Sequence, residues 1–264
     1  MNKTNIEYLD YTWNPIVMRC TPVSEGCANC WHLATADRLA KNPQVPYEFR
    51  LIYEKGCIYA TPPDRLRIPK LRRSKRLIRI GVQFMGDLFG ESILFDHIFD
   101  VFQAMFLPPS YCDFFLLTKR PKRAEKFFAW ETSQTGEGCS LFDNTHFGVT
   151  IENQTRADER IPTLLEILFR NRWVSLEPLL GPIRMLDHLG PDGINWVVIG
   201  PETGPKRREC KPEWIEDLVR QCDAAEVPYF IKAFPMPDGR ISKNMTEWPE
   251  WARVRQYPEV HHVA

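Results

Sequence analysis

The chain carries no net charge, because 34 basic and 34 acidic residues balance. No global field therefore draws it to nucleic acid or to a membrane surface, and any such attraction has to come from a local patch. Long hydrophobic runs are missing as well. Stretches such as Phe114 to Leu117 and Trp196 to Ile199 are far too short to span a bilayer, and the opening Met1-Asn2-Lys3-Thr4-Asn5 lacks the apolar region of a signal peptide. The expectation is a cytoplasmic protein with no membrane partner. No internal repeat or low-complexity run is evident. Eight cysteines in a secreted chain would suggest disulfides, but without a signal peptide Cys57, Cys112, Cys139, Cys210 and Cys222 read as ordinary reduced thiols.

The other three cysteines form a cluster. The segment Cys20-Thr-Pro-Val-Ser-Glu-Gly-Cys27-Ala-Asn-Cys30-Trp31 puts three thiols close together just ahead of a helix. No fourth Cys or His stands at the distance a structural zinc site needs, so the loop offers three ligands and leaves a vacancy. Thiolates suit iron–sulfur centres or zinc, and spacing alone does not choose between them. If the metal is a four-iron cluster, one iron keeps an open position for a substrate or cofactor, whereas clusters held by four cysteines are closed. The plainer alternative is three packed thiols, against which Gly26 beside Cys27 and the nearby prolines mark a shaped turn. His32, right after Trp31, reads as a helix residue that hydrogen-bonds nearby rather than as a fourth ligand.

A chain of 264 residues, 44% of them hydrophobic, can bury one sizeable core. The expected organisation is one domain over 1–234, with an irregular excursion at 43–76, and an extension at 235–264 packed on it. Alternation from Ile6 to Thr12 predicts a first strand, stopped by Asn14-Pro15, and helical spacing follows from Leu33 to Lys41. Strands are expected at Leu77–Phe84, Cys112–Thr118, Thr145–Ile151, Arg172–Leu176, Ile194–Ile199 and Tyr229–Ile231. Helices between them carry Ile98, Phe99, Phe102 and Phe106, then Phe127 and Phe128, then Ile161, Leu164, Leu165 and Leu168, and finally the run opened by Pro212. About seven strand–helix alternations argue for a parallel sheet with helices outside it, as a partial or complete (β/α) barrel or, failing that, a doubly wound open sheet.

Both architectures place ligands at the carboxyl ends of the strands. The residues just past those ends are the cysteine loop, Gly86-Asp87, Lys119-Arg120, Glu152, Glu177, Glu202 and Lys232. The carboxylates can bind ribose hydroxyls, a sulfonium charge or a substrate amine, or can pair with Lys119, Arg120 or Lys232. Lys232 can hold a carboxylate or phosphate. The strongest local charge runs through Arg65, Arg67, Lys70, Arg72, Arg73, Lys75, Arg76 and Arg79 with no acid between them. This segment, joined by Lys119 and Arg120, is a candidate nucleic-acid contact, and a solvated face is its alternative.

Three cysteines in a loop after the first strand, with a small Gly-acid motif after the second, resemble the radical S-adenosylmethionine superfamily. A narrower likeness rests on Thr12-Trp13-Asn14-Pro15, Gly26-Cys27-Ala-Asn-Cys30, Met85-Gly86-Asp87-Leu88-Phe89, Leu117-Thr118-Lys119-Arg120-Pro121, Gly148-Val149-Thr150-Ile151-Glu152-Asn153-Gln154, Ser175-Leu176-Glu177-Pro178-Leu179-Leu180-Gly181 and Gly200-Pro201-Glu202-Thr203-Gly204. These segments resemble the phage-type three-cysteine-motif family, which is grouped with radical-SAM-like barrels, and the likeness covers nearly the whole chain. It implies a barrel of the radical SAM type with an N-terminal cysteine loop and a [4Fe-4S] cluster on Cys20, Cys27 and Cys30. S-adenosylmethionine is then the cofactor, with Gly86 and Asp87 resembling the segment that takes its amino group and the rim residues Glu152, Glu177, Glu202 and Lys232 as further candidate contacts, and an electron donor is a partner. Departures from the wider superfamily are a longer first cysteine gap, Trp31 after rather than before the last cysteine, and an Asp where a Glu is usual. A longer gap can still close on one cluster, because loop extension costs little entropy.

With the basic segment, the resemblance makes a nucleic acid or nucleotide the expected substrate of a modification or repair reaction. No catalytic residue is assigned. The rival is a non-catalytic module whose cysteines hold a structural or sensing metal while the basic patch docks nucleic acid or a protein. A third reading is a cluster enzyme that does not use S-adenosylmethionine.

Overall fold

Parallel strands covered on both faces read as unbroken apolar runs, and the protein's central strands have that character. The computed structural model describes residues 1–56, 58–68, 76–106, 111–136 and 143–258. The chain divides into two compact units, Met1–Thr145 and His146–Ala264.

In the first unit, β1 (Asn2–Lys3) runs antiparallel to β2 (Tyr11–Trp13), and β2 pairs in parallel with a later strand, Tyr11 opposite Ile80. The expected strand Ile6–Thr12 is therefore shorter and later. Tyr8 and Leu9 are both buried, in a turn closed by Leu9 N–H to the Ile6 carbonyl (3.0 Å), so the alternation of faces breaks there. Beyond β2 lie β3 (Val17–Met18), helix α1 (Trp31–Ala40), α2 (Tyr47–Lys55) and β4 (Tyr59–Ala60), with β3 and β4 paired antiparallel. The segment 43–76 is thus not wholly irregular. Helix α2 follows Pro46, ends at Gly56 in a left-handed cap (φ 69°), and buries Ile52 and Tyr53 against Val17 and Ala36. β5 (Ile78–Val82), α3 (Phe95–Met105), β6 (Cys112–Thr118) and α4 (Pro121–Thr135) complete the unit, with β5 and β6 parallel. Phe102 and Phe127 stack between the two helices with ring centroids 5.4 Å apart. Phe106, expected on the buried face, caps α3 and is exposed, and Val101 and Met105 take the inward positions.

In the second unit, β7 (Thr145–Thr150, from its second residue on), β8 (Asn171–Leu176), β9 (Trp196–Ile199) and β10 (Tyr229–Ile231) pair in parallel in that order. Helix α5 (Gln154–Glu166) connects β7 to β8 and α6 (Pro212–Ala224) connects β9 to β10. Between β8 and β9 stands only a 3-10 turn, Leu186–His188, so strand and helix do not alternate strictly. Leu168 lies past the end of α5 and is exposed, because Ile167 is already extended. The short pair β11 (Phe234–Pro235) and β12 (Ile241–Ser242) leads to Trp248, which is buried. Val254 accepts from the Ile231 N–H (3.1 Å), and Gln256 donates to Tyr229 (2.9 Å). The chain's last described stretch thus lies along the outer edge of β10.

Mixed α/β character with mostly parallel strands agrees with the sequence. Among the described residues no pairing closes a barrel: β1 occupies an edge of β2, and the stretch around Arg255 occupies an edge of β10. Nor does any helix of the described residues have the length and apolar character to cross a membrane.

Candidate functional site

The cysteine loop is set in place by the residues that precede it. Gln83, just past β5, is buried with a positive φ of 55°, a conformation costly for a residue with a Cβ. Its side-chain amide clasps the backbone of Ile16, accepting from the N–H and donating to the carbonyl, both at 3.0 Å. Asn14 Oδ1 accepts from Met85 N–H at 2.7 Å. These contacts fix the run from Asn14 to Met18 against the carboxyl end of β5. Gly86 then turns with φ 118°, and a Cβ there would stand 2.8 Å from Met18 Sδ. That glycine is demanded by the turn and by the approach of Met18.

Asp87 is buried and fully engaged. Its Oδ1 accepts from Phe89 N–H (3.0 Å) and Thr118 Oγ1 (2.8 Å), and its Oδ2 from Lys119 N–H (3.0 Å) and Arg120 Nη1 (3.0 Å). The carboxylate, expected as a cofactor contact, ties the end of β5 to the end of β6. Arg120, expected on a nucleic-acid surface, is buried and turned to the thiol loop. Its Nη2 donates to the Thr21 carbonyl (2.7 Å) and Thr21 Oγ1 (2.8 Å), and its Nη1 reaches Cys20 Sγ at 3.8 Å. Burial and the Asp87 charge push the Cys20 thiol up to about 11, opposed by the Arg120 guanidinium. Burial, with the charge of Arg19, lowers His32 to about 4, so its imidazole is neutral. His32 Nε2 accepts the Cys20 N–H at 3.2 Å, which gives this ring the hydrogen-bonding role expected of it.

Cys27 closes a short 3-10 turn, its N–H donating to Ser24 at 2.9 Å, and Cys30 caps α1. All three cysteines are free thiols, as are the buried Cys112, Cys210 and Cys222. Cys57 and Cys139 lie outside the described residues. No group of three or more His, Cys, Asp or Glu among the described residues is already gathered as a metal site. What the loop supplies is a donor set of three reduced thiols, with a cation beside one of them, and that set fits a thiolate-held centre in chemistry and number.

In the second unit the residues past the strand ends are each held by a partner. Glu152 is wholly buried and paired with Arg160 at 2.9 Å. Arg208 grips Glu202 through its N–H (2.8 Å), Nε (2.9 Å) and Nη2 (2.5 Å). Glu177 meets Lys232 Nζ at 2.5 Å, and with side chains 29% and 12% exposed this pair keeps some access to solvent. Arg160 and Arg208 were not anticipated. Arg160 had a signal in the sequence, since it stands among the apolar residues Ala157, Ile161 and Leu164 on one helix face.

Of the basic segment, Arg67 is exposed, Arg65 lies over the Phe49 ring (5.5 Å), and Arg76 pairs with Asp10 at 2.8 Å. Lys70, Arg72, Arg73 and Lys75 lie outside the described residues. Lys119 is half-buried, with its backbone held by Asp87.

No curated protein and no solved structure matches the chain. The chain belongs to the family described as Protein of unknown function (DUF5131), whose model matches residues 3–247.

Proposed function

We propose that this chain is an iron–sulfur enzyme of the radical S-adenosylmethionine type, built as a partial (β/α) barrel. Its substrate is a nucleic acid or nucleotide, in a modification or repair reaction. One observation carries the reading: a loop with three reduced thiols is clamped, through Arg120 and Asp87, to the carboxyl ends of two adjacent parallel strands. Ligand sites in such folds gather at those ends. The resemblance to the phage-type three-cysteine-motif family favours a four-iron cluster over zinc. When bound, that centre supplies one-electron cleavage of S-adenosylmethionine, with the electron drawn from an external donor.

The chain's own residues do the rest. Arg120 offsets the negative charge that Cys20 takes on as a ligand. His32 spends Nε2 on the Cys20 N–H, so that nitrogen adds no fourth ligand to the three thiols. In the second unit Glu177 and Lys232 form a pair that keeps some access to solvent, and in the first Arg65, Arg67 and the basic residues after them are the candidates to hold phosphates. The rival, a metal- or cluster-bearing binding module without catalysis, gains from one observation: Asp87, Glu152 and Glu202 are all held by arginines.

Low-temperature electron paramagnetic resonance of the anaerobically purified, reduced protein tests the reading. A four-iron signal that shifts when S-adenosylmethionine is added is the expected result. An unmoved cluster signal favours the binding module, and a protein without iron refutes the radical mechanism.

A further inference from the structure

Arg120 is a buried arginine at the start of α4, a place where packing alone would be served by an apolar side chain. Burying a guanidinium is costly unless its charge and donors are matched. Asp87 supplies the counter-charge (3.0 Å), and Thr21 fixes the plane of the group with two acceptors. Asp87 is itself braced by Thr118 Oγ1, which also accepts from the Arg120 N–H at 2.9 Å. With Thr21 holding Nη2 in this plane, Nη1 reaches Cys20 Sγ, 3.8 Å away, within N–H···S range. A hydrogen bond to a ligand sulfur and a positive charge beside a cluster both favour the state carrying one more electron.

We propose that Arg120 is a positioning residue that raises the reduction potential of the centre held by Cys20, and that Asp87 tempers it by opposing the guanidinium charge. The inference rests on the thiolate-centre reading above and goes beyond it, because it predicts opposite effects from two residues in one ion pair. Loss of a merely structural contact would move both variants the same way or not at all.

The test is a potentiometric titration of the full chain, purified anaerobically, with dithionite as the electron source and the cluster signal as the readout. Wild type, Arg120→Gln, Arg120→Lys and Asp87→Asn are compared. In Asp87→Asn, Oδ1 still accepts from Thr118 and the Phe89 N–H while Lys119 N–H and Arg120 lose their acceptor, and Thr21 continues to hold the guanidinium. Poised at the wild-type midpoint, Arg120→Gln should show a reduced-to-oxidised ratio lower by roughly tenfold, a shift of ~59 mV for a one-electron couple. Asp87→Asn should shift the opposite way, and Arg120→Lys, which keeps the charge, should recover part of the loss. Should Arg120→Gln fail to hold the cluster, Asp87→Asn decides alone, and a midpoint that is unmoved or more negative overturns the inference. Full iron with unchanged midpoints, or shifts of the same sign, overturns it too while leaving the cluster reading intact. A wild type without iron overturns both.

Discussion

Replacing Glu152 by Ala separates a structural carboxylate from a ligand contact. The Glu152 side chain is 0% exposed and that of Arg160 2%, and Arg160 Nη1 donates to Glu152 Oε2 (2.9 Å) and to the Thr150 carbonyl (2.6 Å). Arg160 Nε is already buried without a hydrogen-bond partner. Removing the carboxylate leaves a guanidinium with one carbonyl and no counter-charge among the described residues, in a site that water does not reach. Breaking a buried pair from one side costs about 3–5 kcal/mol. With a urea dependence of about 2 kcal/mol per molar, that lowers the unfolding midpoint by roughly 1.5–2.5 M. The double variant Glu152→Leu with Arg160→Met puts apolar volume in place of both charges and should recover most of the loss, since such replacements are often neutral or stabilising. Urea unfolding followed by tryptophan fluorescence reads both. A Glu152→Ala protein with the wild-type midpoint, or a double variant as unstable as the single, would refute the reasoning and return Glu152 to the role of a ligand contact.

Three further outcomes are expected. Cys27→Ala should lose iron on anaerobic purification while its circular dichroism and urea midpoint stay close to wild type, because Cys27 belongs to a loop turn; full iron in that variant would count against the site. Gly148→Ala should destabilise the protein by about 1–3 kcal/mol through overpacking, since the new Cβ would stand 2.5 Å from Nε1 of the fully buried Trp173; an unchanged urea midpoint would show that the indole can yield. Alkaline pH should weaken the fold. Burial, helped by neighbouring carboxylates, raises Cys210, Cys222 and Tyr229 each to about 12, so the unfolded chain ionises first. Their contribution is fully present below about pH 9 and is lost as pH climbs toward 12. Urea midpoints across that window should fall, less steeply in Cys222→Ala, and a flat profile would contradict the burial argument.

Much of the local structure was legible because its causes are local. The run Cys112–Thr118 is apolar enough to be read as a fully covered strand, and Pro121 and Pro212 open helices because their missing N–H costs nothing in a first turn. The thiol loop and the polar residues past each strand end were equally visible. Helix α2 was hidden by the prolines around it, although Pro46 ahead and Gly56 behind are proper boundary signals. The early strand misled because alternation cannot show that Tyr8 and Leu9 both turn inward.

What the sequence by itself determined is the inventory: three clustered thiols, strand-end carboxylates and cations, and the elements that carry them. What only the tertiary structure decided is the pairing. Asp87 chose Arg120 across 33 residues, Glu177 chose Lys232 across 55, and Arg120 turned from solvent to Cys20 across 100. Periodicity reports which face a residue occupies along its own element, whereas an ion pair depends on which strand ends become neighbours and on how deeply water is excluded there. Those are properties of the assembled sheets.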